Sequence, residues 1–154
     1  EFRRVLFRSG HPELADLADL LLNVGRLVRA RTPGEVDAVP LNDTERTVMR
    51  MLDLFPGSSP SEVAERARLQ RSNVSAALRT LEDKGMVTRT PTSGRGVTVS
   101  PTPLAATNLE RLRAAWAHQL GDALAGDLSE VRQCVALLER LELSLIESSP
   151  ATGR

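Results

Sequence analysis

The sequence predicts a mainly α chain of six helices, interrupted once by a small β-hairpin. Three observations predict it. Apolar residues recur at steps of three and four in six separate segments of the 154 residues. Two of those segments open with a polar cap followed three residues later by Glu, the signature of a helix start. After Gly85 the apolar period falls from 3.6 to 2, around the Pro/Ser/Gly turn "PTSGRG".

The first helix is expected over residues 13–31, where Leu14, Leu17, Leu21, Val24 and Val28 alternate steps of three and four as a helix-packing seam, and Thr32-Pro33-Gly34 ends it. The second opens at Asn42 with Glu45 as capping box, turns Val48, Met51, Leu52 and Phe55 inward, and closes at Pro56-Gly57. The third opens at Ser59-Pro60-Ser61-Glu62 and is short, with Val63, Ala64 and Ala67 inside. A tight turn at Leu69-Gln70 leads into the fourth, whose buried stripe is Val74, Ala77, Leu78 and Leu81 and whose stop is Gly85. "MVTRT" and "VTVS" are the two strands. Thr102-Pro103 starts the fifth helix, with Leu109, Leu112, Trp116 and Leu120 on one side, and Ala125-Gly126-Asp127 breaks it. Ser129 is expected to cap the sixth, which carries Val131, Val135, Leu138, Leu141 and Leu145.

Net charge is zero, so the total gives no sign of a nucleic-acid partner. The local balance does. Residues 66–95 hold seven basic side chains (Arg66, Arg68, Arg71, Arg79, Lys84, Arg89, Arg95) against Glu82 and Asp83, whereas residues 127–147 hold five acids against Arg132 and Arg140. This asymmetry points to a basic working surface in the middle of the chain and an acidic end elsewhere. No apolar run approaches the ~20 residues that cross a bilayer. Cys134 is the only cysteine, so no intrachain disulfide can form, and a cytoplasmic location is expected.

Two compact helices joined by a tight turn and followed at once by a hairpin describe a winged helix-turn-helix. The outward face of the fourth helix holds Ser72, Ser75, Ala76, Arg79 and Asp83. A solvated helix face favours long Glu and Lys side chains, but this one carries small groups and Arg. Small residues let the backbone approach a groove about 12 Å wide, Asn73 and the serines can bond base edges or phosphates, and Arg79 can fork onto guanine. The helix start offers open N–H groups to an anion. Arg95, between Gly94 and Gly96 at the hairpin tip, is a cation suited to a minor groove. The plain alternatives are capping residues on an ordinary surface helix and a solvated turn arginine.

The span from about Leu14 to Ile146 resembles MarR-type (multiple antibiotic resistance regulator) winged-helix transcriptional regulators. The resemblance rests on "LNDTERTVMRML", "PSEVAERARLQRSNVSAALRTLEDKGMVTR" and the "SGRG" wing followed by "VTVSPT". It implies that the fourth helix reads the major groove through Arg71, Ser72, Asn73, Ser75, Ala76 and Arg79. It also implies that Arg95 enters the minor groove and that the first, fifth and sixth helices build a homodimer. The function implied is a repressor of a pseudo-palindromic operator on double-stranded DNA, relieved by a small phenolic or otherwise lipophilic effector between the dimer helices and the DNA-binding lobe. The chain departs from the family in a short wing with Ser93 where Asp is usual. A winged-helix protein-interaction module without specific DNA binding is the alternative.

The domain reading follows: 1–10 a non-native leader ("LFRS" looks like translated adapter sequence), 11–34 an N-terminal dimerisation helix, 41–101 the winged helix-turn-helix, 102–148 C-terminal dimerisation helices, and 149–154 a disordered tail. The seam of residues 14–28 and the stripe of the sixth helix exceed what a core of roughly 60 residues covers, which supports a C2 dimer over helices folded back on their own chain. No Gly-rich phosphate loop, nucleophile elbow or Cys/His ligand cluster is present, so neither an enzyme, a metal site nor a cofactor is expected. His118 is expected at a surface or interface, with a ligand contact as the lesser reading. Cys134 is expected to be a small buried residue, with a redox switch as the lesser reading. Trp116 belongs to the core or dimer interface, with a ligand pocket as the lesser reading.

Overall fold

The computed structural model describes residues 11–32, 38–94 and 96–148. The leader, the Pro33-Gly34 helix stop, Arg95 and the tail lie outside the described residues. The order of elements is α1 (Pro12–Arg31), α2 (Asp43–Leu54), α3 (Pro60–Ala67), α4 (Arg71–Asp83), β1 (Val87–Pro91), β2 (Val97–Pro101), α5 (Pro103–Ala123) and α6 (Val131–Glu147).

The core lies between α2, α3, α4 and the hairpin. Val48, Leu52, Val63, Val74, Leu78, Leu81, Met86, Val87 and Val99 are fully buried, and Ile146 of α6 packs against their edge. Both expected capping boxes form. The Asn42 side chain accepts from the Glu45 amide while Glu45 accepts from the Asn42 amide, and Ser59 and Glu62 do the same for α3. Each satisfies amides that the first helical turn leaves without a partner. Gly85, at φ +71°, supplies the left-handed residue that turns the chain from α4 into β1. The strands pair antiparallel, Arg89 opposite Val99 and Pro91 opposite Val97, and the Val99 amide donates to the Ser58 carbonyl, which fixes the hairpin to the turn before α3.

Glu45 does more than cap. It is 1 % exposed, and Lys84 at the end of α4 donates to its carboxylate at 2.7 Å and to the Pro40 carbonyl at 2.9 Å. Burial alone pushes the Glu45 carboxyl up. The Lys84 hydrogen bond, the Asn42 amide and the charges of Lys84 and Arg46 outweigh burial and leave it below the ordinary glutamate value.

The outer helices behave differently. Neither α1 nor α6 buries a single residue, and Leu14, Leu22, Val135 and Leu145 are among their large exposed apolar side chains. In the single chain both helices thus leave most of their apolar faces open, and Ile146 near the end of α6 is the side chain that packs against the core. α5 starts as expected, with the Thr102 hydroxyl accepting from the Ala105 amide and Pro103 at the first position, and it ends before Ala125 and Gly126, both at positive φ. One cap is corrected. Ser129 does not cap α6; its amide and hydroxyl both donate to Asp127, and the cap position falls on Glu130, whose side chain bonds nothing in the first turn. A short Asx turn competes successfully for the serine.

Glu45→Ala is expected to cost about 2–3 kcal/mol in urea denaturation, because it removes a cap and leaves Lys84 without its carboxylate. The folded carboxyl lies below its ordinary 4.5, so its stabilisation is complete above that pH and is lost as pH falls through the folded value. The intact protein should therefore lose more stability on acidification below pH 4.5 than Glu45→Ala does; parallel curves would contradict the linkage.

Candidate nucleic-acid interface

α3 ends on Arg68 in the left-handed region (φ 54°), the Leu69 amide returns to the Ala64 carbonyl at 3.0 Å, and Gln70 begins α4. The stripe Val74, Ala77, Leu78 and Leu81 turns inward as expected. The opposite side brings Arg71, Ser72, Asn73, Ser75, Ala76 and Arg79 together on one exposed helix. Its start contrasts with those of α2 and α3: no side chain caps it, and its first turn holds no acid. The Asn73 and Val74 amides return to the Gln70 carbonyl, so the positive end of the helix points outward at Arg71 and Ser72 with no carboxylate to neutralise it.

The basic surface is narrower than the count of residues 66–95 suggests. Arg66 lies 4.4 Å over the Phe55 ring and donates to the Ser58 hydroxyl at 3.0 Å. Arg68 donates to the Leu145 carbonyl at 2.9 Å and to that of Ser148. Lys84 belongs to Glu45, and Arg89 pairs with Glu82 at 3.0 Å. These four are structural. Among the described residues, Arg71 and Arg79 have neither an ion pair nor a hydrogen bond to their guanidinium groups, so the available charge sits on α4 itself.

The wing is the β1–β2 turn, closed by the Thr92 amide on the Gly96 carbonyl at 3.0 Å. Gly96 has a steric reason to be glycine: an added Cβ would meet the Thr92 hydroxyl at 2.7 Å. Thr92, Ser93, Gly94 and Gly96 are exposed; Arg95 lies outside the described residues.

Comparison with known proteins agrees with this geometry. The sequence profile described as the MarR family matches residues 40–96, the capped α2 through the wing. The HTH-type transcriptional repressor Rv2887 of Mycobacterium tuberculosis is 31% identical over 133 residues, which cover 82% of this chain and 94% of that protein. The chain belongs to the MarR family. That family is one of transcriptional regulators, not of enzymes. Among solved structures, a MarR family protein from Bacillus stearothermophilus shares the fold with a TM-score of 0.66 at 15% identity, over 86% of this chain and 97% of that one. NadR in complex with 4-hydroxyphenylacetate aligns with a TM-score of 0.62 at 20% identity, over 95% and 98%.

This MarR-family chain also has a concave feature whose full lining the sequence alone does not give. A cleft of about 500 Å³ opens between α2 and α5. Leu41, Met49, Met86, Leu109, Leu112 and Trp116 make its apolar walls, and Arg46, Arg50 and Arg113 face it alongside Asp53 and Glu110. Trp116, expected in core or interface, is a half-buried wall of this cleft, and its indole donates to the Thr32 hydroxyl at 3.0 Å, joining α5 to the end of α1. In the sequence the spacing of Leu109, Leu112 and Trp116 gives one wall of the cleft, but the other comes from α2, far away along the chain. Cys134 is corrected: it is exposed, on a part of α6 that its own chain does not cover. His118 is on the surface as expected, 3.5 Å from Asp122. Among the described residues no group of three or more His, Cys, Asp or Glu could hold a metal, and no helix is long and apolar enough to cross a membrane.

The two kinds of arginine should separate in thermal or urea denaturation. Arg66→Ala is expected to lose about 1 kcal/mol with its ring contact and hydrogen bond. Arg79→Ala should stay within about 0.5 kcal/mol of the intact protein. Equal losses would mean that Arg79 has a structural partner after all.

Proposed function

We propose that this regulator is a homodimeric, ligand-responsive repressor that reads a pseudo-palindromic operator. Residues 71–84 lie in the major groove, and the wing around Arg95 reaches the minor groove. The observation that carries the reading is the outer face of α4, where Arg71, Ser72, Asn73, Ser75, Ala76 and Arg79 surround an uncapped, acid-free helix start. Rv2887 is itself a transcriptional repressor, which supports that sign of regulation.

Dimerisation by residues 11–34 and 102–148 is supported by the apolar faces that α1 and α6 leave open. Large exposed apolar area of this kind marks an interface, and a C2 dimer places two reading helices about 34 Å apart, one turn of DNA. The cleft between α2 and α5 suits a small lipophilic or phenolic effector: its walls are apolar, and the guanidinium of Arg113, without an ion pair among the described residues, can meet an acidic group. The NadR complex with 4-hydroxyphenylacetate supports that class. A regulator of this kind works in the cytoplasm.

The decisive experiment selects bound duplexes from a random pool at moderate salt and measures the mass of the complex. An inverted repeat with half-sites one turn apart, bound by two chains, is expected; a stable dimer that enriches nothing would favour a protein-interaction module. On the selected site Arg79→Ala should lose about 1–3 kcal/mol and relax sequence preference. Arg95→Ala should instead weaken binding to many sequences alike and flatten the salt dependence. Adding 4-hydroxyphenylacetate should quench or shift the Trp116 emission and release DNA in parallel; a spectrum that stays fixed while DNA is released would place the effector outside the cleft.

A further inference from the structure

The last two turns of α6 are held to the helix-turn-helix unit of the same chain at three points. Arg50 of α2 donates from Nε to one oxygen of Glu142 at 2.8 Å and from Nη2 to the other, a two-bonded fork, while its Nη1 donates to Asp53 at 3.2 Å. Ile146, one turn beyond Glu142, packs against the edge of the buried core. Arg68 then donates to the Leu145 and Ser148 carbonyls, which the helix end leaves without intrahelical partners. Arg68 is also the left-handed residue of the turn into α4. At the other end of α6 Val131 and Val135 are exposed.

We infer that Arg50–Glu142 and Arg68 are positioning clamps that fix the angle between α6 and the reading helix, and so set which operator half-site spacing the dimer accepts. The inference rests on the dimeric DNA-reading function proposed above. The physical reason is leverage. α4 spans 13 residues, about 20 Å, so a rotation of about 10° about the clamps swings the far end of the reading helix by about 3 Å, close to the rise of one base pair. With the clamps closed, only one spacing matches; with them open, neighbouring spacings become accessible. The two clamps act at different places, one on α2 and one on the turn into α4, so together they oppose rotation as well as translation. The electrostatics agree: the Arg50 hydrogen bonds hold the Glu142 carboxyl below its ordinary value despite its partial burial.

The test uses the full-length dimer and a set of duplexes carrying the selected half-sites at separations of about 9 to 12 base pairs. Arg50→Gln, Glu142→Gln, their combination and Arg68→Gln are compared with the intact protein, with melting temperature as a check on folding. The intact protein should prefer its best spacing sharply. Each single variant should reduce that preference by about fivefold, with a much smaller loss on the best site, and the Arg50–Glu142 combination should do no more than either single change because the pair acts as a unit. A uniform loss of affinity at every spacing, or an unaltered spacing profile in folded variants, overturns the clamps while leaving the DNA-reading function intact. Failure of the intact dimer to bind any inverted repeat overturns that function and the clamps together.

Discussion

The buried carboxylate of Glu45 is the contact on which the geometry of the helix-turn-helix depends. It closes the N-terminus of α2 and receives Lys84, the residue that ends α4. Lys84 donates in turn to Pro40, and the neighbouring Val39 exchanges hydrogen bonds with the buried side chain of Asn108 on α5. One continuous polar chain therefore runs from α5 through the segment before α2 to the end of α4. Apolar packing alone would hold the stripe of α4 against the core but leave its rotation soft. A carboxylate with two distinct partners, each on a different element, defines position along the helix as well.

The same logic divides the cations. A guanidinium that stacks on a ring or grips a carbonyl contributes to the fold and has little left for a phosphate. Arg66 and Arg68 are of this kind, Arg89 is matched to the Glu82 carboxylate, and α4 keeps two arginines with no such partner among the described residues. Glu82 is exposed at the far end of α4, yet it faces Arg89 of β1, so it lowers the charge of the wing base instead of the helix start. A chain of zero net charge can in this way present a locally positive helix end, because Glu45, Glu82 and Glu142 are matched to cations away from that end, Lys84, Arg89 and Arg50.

Most of the fold could be read from the sequence because its signals are local. The capping pairs Asn42/Glu45 and Ser59/Glu62, the stripe from Val74 to Leu81 and the switch to period 2 after Gly85 each lie within a few residues, and each reappears in the structure at the expected position. The outer face of α4 follows from the stripe by helical geometry alone. What the sequence could not supply was partner choice over long separations. Nothing near Arg66 in sequence says that it will seek Phe55 in place of a phosphate, and nothing in "VRQCVALLER" reveals that α6 will leave Cys134 exposed. Burial of the Cys134 side chain follows from the residue type only if an apolar helix is covered along its whole length by its own chain, and α6 is covered only near its end. Ser129 failed for a smaller reason, since a cap and an Asx turn have the same local appearance and the choice depends on where Asp127 points.

Arg50 joins the two halves of the molecule. Its guanidinium borders the apolar cleft between α2 and α5, and the same group holds Glu142 in a fork that leaves few donors over. The cleft and the placement of α6 therefore share one side chain. An uncharged guest filling the apolar walls would leave the fork in place, whereas an acidic one would meet a cation that already has two carboxylates, Glu142 and Asp53, and would have to compete with them or settle on Arg113 instead. Because the fork is bidentate and partly shielded from water, it is costlier to open than an exposed ion pair of the same charge. On the proposed effector reading, the position of an acidic group within the cleft would thus matter more than its affinity: a guest anchored on Arg113 would leave the fork to Glu142 intact, and one that reached Arg50 would compete with it.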